Sequence, residues 1–190
     1  MPNNTLIFLR HAETKVDKDL KISEWELSER GRKEAFNISQ LDFMDNVDII
    51  IASNEKKAYK TADPLAKKKQ IHIIREKELN EIMRDKGKFL GKEGYLDTMK
   101  LCMENRDQSF NDWETANKAL GRFRKKVEEI DSNFKQKKIL IVSHGTVINL
   151  YFAEKLNKLS DVYERTLSNT FCDYGVIQDG KIIRDIAKIV

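Results

Sequence analysis

Two apolar runs in the chain each end abruptly in a histidine. Leu6-Ile7-Phe8-Leu9 leads into Arg10-His11, and Ile139-Leu140-Ile141-Val142 leads through Ser143 into His144-Gly145. Runs of this kind read as buried strands, and each would deliver an imidazole to its C-terminal tip. A third run, Val47 to Ala52, ends at Ser53, with Lys56 and Lys57 just beyond. A fourth, Ile71 to Ile74, leads towards Glu78 and Glu81. In an open α/β sheet, ligands sit beyond the carboxyl ends of the strands. One rim would therefore collect two imidazoles, a guanidinium, an ammonium and a carboxylate. Helix N-termini after Ser53 and His144 would add backbone N–H donors and a dipole that favours an anion. This inventory suits phosphoryl transfer, where positioning and charge neutralisation do most of the catalytic work. On this reading the two tips lie side by side and His11 is the phosphoryl-accepting nucleophile. His72, inside a short strand, reads as a core or edge residue instead.

The elements that must hold these groups follow from periodicity and punctuation. After a first strand over about 5–11 and a polar connection from Lys15 to Lys21, Ser28 is the expected N-cap of a helix to about Leu41, with Glu29 in its first turn. Ser53 is the expected N-cap of a second helix, from Glu55 to about Lys68. Residues 77–111 are the least regular part, with Gly87, Gly91, Gly94 and one helical patch at Leu96 to Glu104; they are expected to form an excursion over the top of the fold and its active site. Asn111-Asp112-Trp113-Glu114 resembles a capping box opening a long helix. Along that helix Trp113, Ala116, Leu120, Phe123, Val127, Ile130 and Phe134 recur at helical spacing. A helix from Gly145 to about Leu156 follows the fourth strand. Two last strands, Thr170 to Gln178 and Lys181 to Ile189, meet at Asp179-Gly180, a hairpin signal. Strands alternating with helices predict one domain over residues 1–190, a three-layer α/β/α sandwich whose mostly parallel sheet carries an antiparallel edge.

Composition narrows the function classes. The net charge of +4 comes from 35 basic and 31 acidic residues, too even for a nucleic-acid surface, and no basic block alternates with aromatics. Charged residues make up 35% of the chain, which suits a heavily solvated surface. Cys102 and Cys172 are far apart, which argues against a zinc framework or disulfide scaffold and fits a reducing cytoplasm. The N-terminal residues lack the features of a signal peptide, and no apolar run is long enough to cross a bilayer. Expected partners are small phosphorylated substrates, not nucleic acid or membrane; oligomeric state is left open.

Leu9-Arg10-His11-Ala12-Glu13-Thr14 resembles the Arg-His-Gly-x-Thr signature of the histidine phosphatase superfamily, in its phosphoglycerate mutase-like branch. Ser53 to Ala62 resembles that family's second block, Leu79-Asn80-Glu81-Ile82 its acid-bearing block, Ser143-His144-Gly145 its closing histidine, and Leu27-Ser28-Glu29-Arg30-Gly31 its Leu-Thr-x-x-Gly segment. The blocks occur in the family's order over most of the chain. The resemblance implies a phosphomonoester phosphatase in which His11 carries a phosphohistidine. Arg10, Lys57 and His144 would hold the phosphate, His144 protonated or donating, and Thr14 would either touch it or simply cap the strand end. Glu81 would act as general acid and then base, with Glu78 its competitor. No metal or other cofactor is implied. Three positions depart from the pattern. Ala12 replaces a glycine, a small change if φ there is negative. Lys57 replaces an arginine and loses the planar fork. Asp17 stands where an asparagine is usual, and must point away, meet a substrate cation or mark altered specificity. Glu114 with Arg122 resembles a further block beside the pocket in relatives, although Glu114 also fits the capping box. The alternatives are a phosphoglycerate mutase-type transfer and a phospho-ligand-binding module without catalysis. A metallohydrolase using His11, Asp17, Glu81 and His144 is a more distant one.

Overall fold

The computed structural model describes residues 3–187, and in it the four apolar runs are strands of one sheet. β1 (Thr5–Arg10), β2 (Ile49–Ser53), β3 (Ile73–Glu76) and β4 (Lys138–Ser143) run parallel in the order β3-β2-β4-β1. β5 (Tyr174–Gln178) extends the sheet antiparallel to β1, and β6 (Lys181–Ala187) pairs antiparallel with β5. The turn between them has Asp179 at φ 51° and Gly180 at φ 76°, the left-handed pair that a two-residue hairpin requires. The expected last strand reached Ile189; Lys188 and Ile189 lie outside the described residues.

Side chains alternate across a strand, and this alternation sorts the strands into two cores. Leu6, Phe8, Ile51, Ile139 and Ile141 enter one apolar cluster, while Ile7, Leu9, Ile50, Leu140 and Val142 enter the other. Strands covered on both faces read as continuous apolar runs, which is why these four stand out. The second cluster is closed by α1 (Glu29–Ser39) and α2 (Lys56–Lys69), the first by α3 (Lys92–Glu104), α4 (Ala116–Asn133), α5 (Gly145–Lys155) and α6 (Val162–Ser168). The three-layer arrangement is as expected. Among the described residues no helix is long and apolar enough to cross a membrane.

Several boundaries differ from expectation. Ser28 does cap α1, accepting from Gly31 N–H at 2.9 Å. Gly31 itself is dictated by closeness, since a Cβ there would stand 2.0 Å from the Glu13 carbonyl oxygen. Ser53, by contrast, ends β2, and the N-cap of α2 is Glu55. The long helix opens later than its apparent capping box: Thr115 is the N-cap, accepting from Lys118 N–H. Asn111 and Asp112 take left-handed φ of 51° and 56°, so they turn the chain instead of capping it. The apolar stripe from Trp113 to Ile130 is buried as expected. Within the excursion, the patch expected at 96–104 is the larger part of α3, whose Met99, Cys102 and Met103 are buried. His72 is exposed and precedes β3. The helix α6 has no counterpart in the sequence reading.

Candidate active site

Register brings the two imidazoles together. Arg10 pairs with Ser143 at the ends of β1 and β4, so His11 and His144 leave the sheet at one level, with His11 N–H donating to Ser143 O at 2.9 Å. Their ring centroids are 5.1 Å apart, close enough for one tetrahedral oxyanion to touch both. His11 is almost fully buried. Its Nδ1 lies 2.8 Å from the Ala12 carbonyl oxygen, which can only accept, so Nδ1 carries the proton. Burial foremost, then the charges of His144, Lys57 and Arg10, holds this imidazole well below its ordinary pKa. A neutral ring with the proton on Nδ1 has its lone pair on Nε2, the form a nucleophile needs. Ala12 is absent from the positive-φ positions, so its methyl is tolerated, and its N–H donates to Thr61 Oγ1 at 3.0 Å.

His144 is completely buried, and burial, followed by the cations Lys57, Arg84, Arg122 and Arg10, keeps it neutral as well. A resting imidazolium, one of the two forms expected, is therefore not what the surroundings favour. Its Nε2 lies 2.7 Å from Ser53 Oγ and 3.7 Å from Glu55 Oε1. Ser53 has one proton for two acceptors, His144 Nε2 and Asn80 Oδ1 at 3.1 Å. In either arrangement His144 Nδ1, buried and without a hydrogen-bond partner among the described residues, is the nitrogen left over.

Arg10 directs Nη1 at the Asn169 carbonyl (2.6 Å) and side-chain oxygen (3.1 Å) and lies over the Phe171 ring at 4.7 Å. Its Nε is buried without a partner among the described residues. Gly145 makes room for it, as a Cβ there would come within 3.1 Å of that Nε. Phe171 also packs on His11, 5.8 Å between centroids. Lys57 is buried at the site and its charge acts on both imidazoles, but its ammonium is already held by the Glu55 carboxylate and the Ile22 carbonyl (2.8 Å). Glu55 Oε1 in turn accepts from Glu81 N–H at 2.8 Å.

Of the two candidate acids, Glu81 is buried and Glu78 is only half-buried. The Glu81 carboxylate accepts three backbone N–H groups: Ile82 and Val147 on Oε1 at 3.0 and 3.2 Å, and Thr146 on Oε2 at 3.1 Å. Two of these donors belong to the first turn of α5. That helix N-terminus, expected to face a ligand, is thus capped by the acid itself. The loop carrying Glu81 is clamped by Arg122. Its N–H groups reach Glu78 O, Asn80 O and Glu81 O at 2.7–2.8 Å and both oxygens of Glu114. Glu114 also accepts from Met83 N–H. Glu114 thus belongs to the support of the site and does not cap α4.

Two expected positions make local contacts. Asp17 accepts from Asp19 N–H at 3.0 Å in a local turn. The four-residue metal donor set is not assembled, and among the described residues no group of three or more His, Cys, Asp or Glu side chains is placed to hold a metal ion. Thr14 pairs with Leu27 in an isolated bridge that ties the strand end to the segment before α1. Sequence reasoning missed Glu55, Asn169 and Phe171. Asn169 and Phe171 lie more than 150 positions from Arg10, and nothing local marks them. Beside the acid lies a cavity of about 380 Å³ lined by Glu55, Glu78, Glu81, Arg84 and Arg122, among others.

Residues 6–178 match the model of the histidine phosphatase superfamily (branch 1). Over 149 residues, 73% of this chain and 70% of the relative, the sequence is 28% identical to phosphoserine phosphatase 1 of Hydrogenobacter thermophilus. The fold superposes on YhfR of Bacillus stearothermophilus with a TM-score of 0.77 at 19% identity, covering 96% of each chain. A mycobacterial glucosyl-3-phosphoglycerate phosphatase, solved with inorganic phosphate, superposes with a TM-score of 0.75 at 18% identity over 97% of this chain and 95% of that one.

Proposed function

The chain belongs to the histidine phosphatase superfamily (branch 1), and from that premise we propose that it hydrolyses small phosphomonoesters through a phosphohistidine on His11. The observation that carries the reading is the pair of buried imidazoles 5.1 Å apart, with the His11 proton fixed on Nδ1 by the Ala12 carbonyl. His11 Nε2 attacks phosphorus and the P–O ester bond breaks. The leaving oxygen takes a proton from Glu81, whose Oε2 keeps a lone pair beyond its bond to Thr146 N–H. Water then gives a proton back to Glu81 and attacks phosphorus. The N–P bond breaks, its electron pair returns to Nε2, and phosphate leaves.

Arg10, Lys57 and His144 hold the phosphoryl oxygens. When Ser53 donates to His144 Nε2, Nδ1 becomes an N–H donor, the form that a phosphate oxygen requires. A role for Thr14 rests on the family resemblance alone. The curated relative is a phosphoserine phosphatase, which supports a small phosphorylated metabolite as substrate. The free thiols of Cys102 and Cys172 support a cytoplasmic setting.

The test is a rapid quench with a labelled ester. One equivalent of acid-labile, base-stable phosphate should appear on the wild-type protein with a burst of alcohol, followed by net phosphate release. The His11→Ala protein, folded by circular dichroism, should take up no label. Turnover in that variant would overturn the assignment, and label transfer to a second hydroxyl without net phosphate would indicate a mutase.

A further inference from the structure

The buried carboxylate of Glu55 has the wrong sign for an anion pocket. It lies at the start of α2, beside two of the groups that the phosphatase reading assigns to phosphate. Its Oε2 accepts from the Lys57 ammonium, and its Oε1 stands 3.7 Å from His144 Nε2. Both members of the Glu55–Lys57 pair are buried, so their attraction is little screened. An ammonium has three N–H donors. One goes to Glu55 and a second to the Ile22 carbonyl at 2.8 Å, which leaves one for a phosphoryl oxygen. Glu55 Oε1 also accepts from Glu81 N–H, but that donor needs only an oxygen, not a charge. The negative charge of Glu55 therefore falls chiefly on Lys57.

We propose that Glu55 is a positioning residue that competes with the phosphoryl group for the Lys57 ammonium, so that the site holds inorganic phosphate, its product, loosely and releases it. The proposal rests on the phosphatase reading above and adds what limits the grip on the anion. Contacts made equally to substrate and transition state lower KM without raising kcat. Were Lys57 without another anion, the site would retain phosphate after each turnover, and the carboxylate counters that retention. When phosphate departs, the ammonium keeps a partner and is not left as a lone buried charge, which would be strongly unfavourable. Glu55 thus stabilises the empty site more than the filled one.

Calorimetric titration with inorganic phosphate and with vanadate reads this grip without turnover. Glu55→Gln keeps an oxygen for Glu81 N–H and removes the charge. It should bind phosphate about 10–100-fold more tightly than the wild type, the size expected of one unit charge acting across a buried site. KM for an ester should fall with it, and kcat should not rise. Adding Lys57→Met to Glu55→Gln, which restores the wild-type net charge, should return phosphate binding to the wild-type strength or weaker. Glu55→Asp, which draws the carboxylate back by one methylene, should give a smaller gain and serves if the glutamine protein does not fold. A Glu55 that only supports the acid-bearing loop predicts another sign, so weaker or unchanged phosphate binding in the folded variants would overturn the proposal. Tight binding that persists in the double variant, or no measurable binding of either anion to any of these proteins, would overturn it as well. Failure of the labelling experiment above would instead overturn the phosphatase reading and leave this ratio of binding constants to stand or fall separately.

Discussion

At the level of single residues, the site is governed by where protons reside. Both histidines are kept neutral, chiefly by burial and further by the surrounding cations, and this has a consequence for stability. In the unfolded chain an imidazole takes up a proton near pH 6.5, whereas the folded His11 and His144 resist it. As pH falls through that range the unfolded state binds more protons than the native state, so stability declines. Urea midpoints should therefore drop between pH 7.5 and 5.5, and less so in His144→Gln. By the same sign, the acid limb of kcat/KM, which reports the free enzyme, should lie well below the ordinary imidazole range. A limb at or above pH 6.5 would mean that His11 is not held neutral. The histidines were readable in sequence because each terminates a continuous apolar run. The Glu55–Lys57 pair was not, because two residues apart on a helix start carries no pairing signal. Lys57 was expected to reach for phosphate alone, but it shares its charge with a carboxylate that also fixes Glu81.

At the level of elements, strands were the most readable feature, since burial on both faces leaves an unbroken apolar signature. Helix starts were less so. The sequence Asn111 to Glu114 satisfies the local rule for a capping box, yet the Glu114 carboxylate is taken by Arg122 and Met83 N–H, contacts that local spacing cannot reveal. The same pair decides how well the acid-bearing loop is held. Removing Arg122 would leave Glu114, 5% exposed, as an uncompensated charge and free three carbonyls of residues 78–81. Breaking a buried pair costs about 3–5 kcal/mol; with Arg122 partly exposed, Arg122→Met should lose about 2–3 kcal/mol in urea unfolding. Because Arg122 acts through Glu81, the loss of kcat should be larger for alkyl esters, which need a protonated leaving group, than for activated aryl phosphates. A uniform loss across leaving groups would make the clamp merely structural.

At the level of the whole molecule, the proposed nucleophile and the cavity beside Glu81 fall on parts that are held differently. His11 follows directly on a central strand paired on both sides, and the chain around it is tied by Arg10 N–H to Asp173 O and His11 N–H to Ser143 O. Opening these amides requires parting β1 from its neighbours, which amounts to unfolding the sheet. The excursion carrying Arg84 is held differently. Gly87 N–H reaches only Arg84 O, Lys88 N–H is held by the Asn111 side chain, and Met83 and Phe89 are 44% and 46% exposed. A second lip, the turn around Ile22 and Ser23, meets it at Asp85, which accepts from the Ser23 hydroxyl, and is tied to α2 by Lys57 Nζ donating to Ile22 O. On the proposed reading, such a division would let a rigid nucleophile serve a cavity wall that adjusts to its ligand. In native-state hydrogen exchange, the Arg10 and His11 amides should therefore exchange only at the global unfolding free energy, and those of residues 84–90 at least about a hundredfold faster. Vanadate, seated on His11, should slow exchange in residues 84–90 and 22–24 while leaving β1 unchanged. Equal protection of both regions in the free protein, or protection by vanadate confined to the sheet, would show that these two segments play no part in closing over the bound anion.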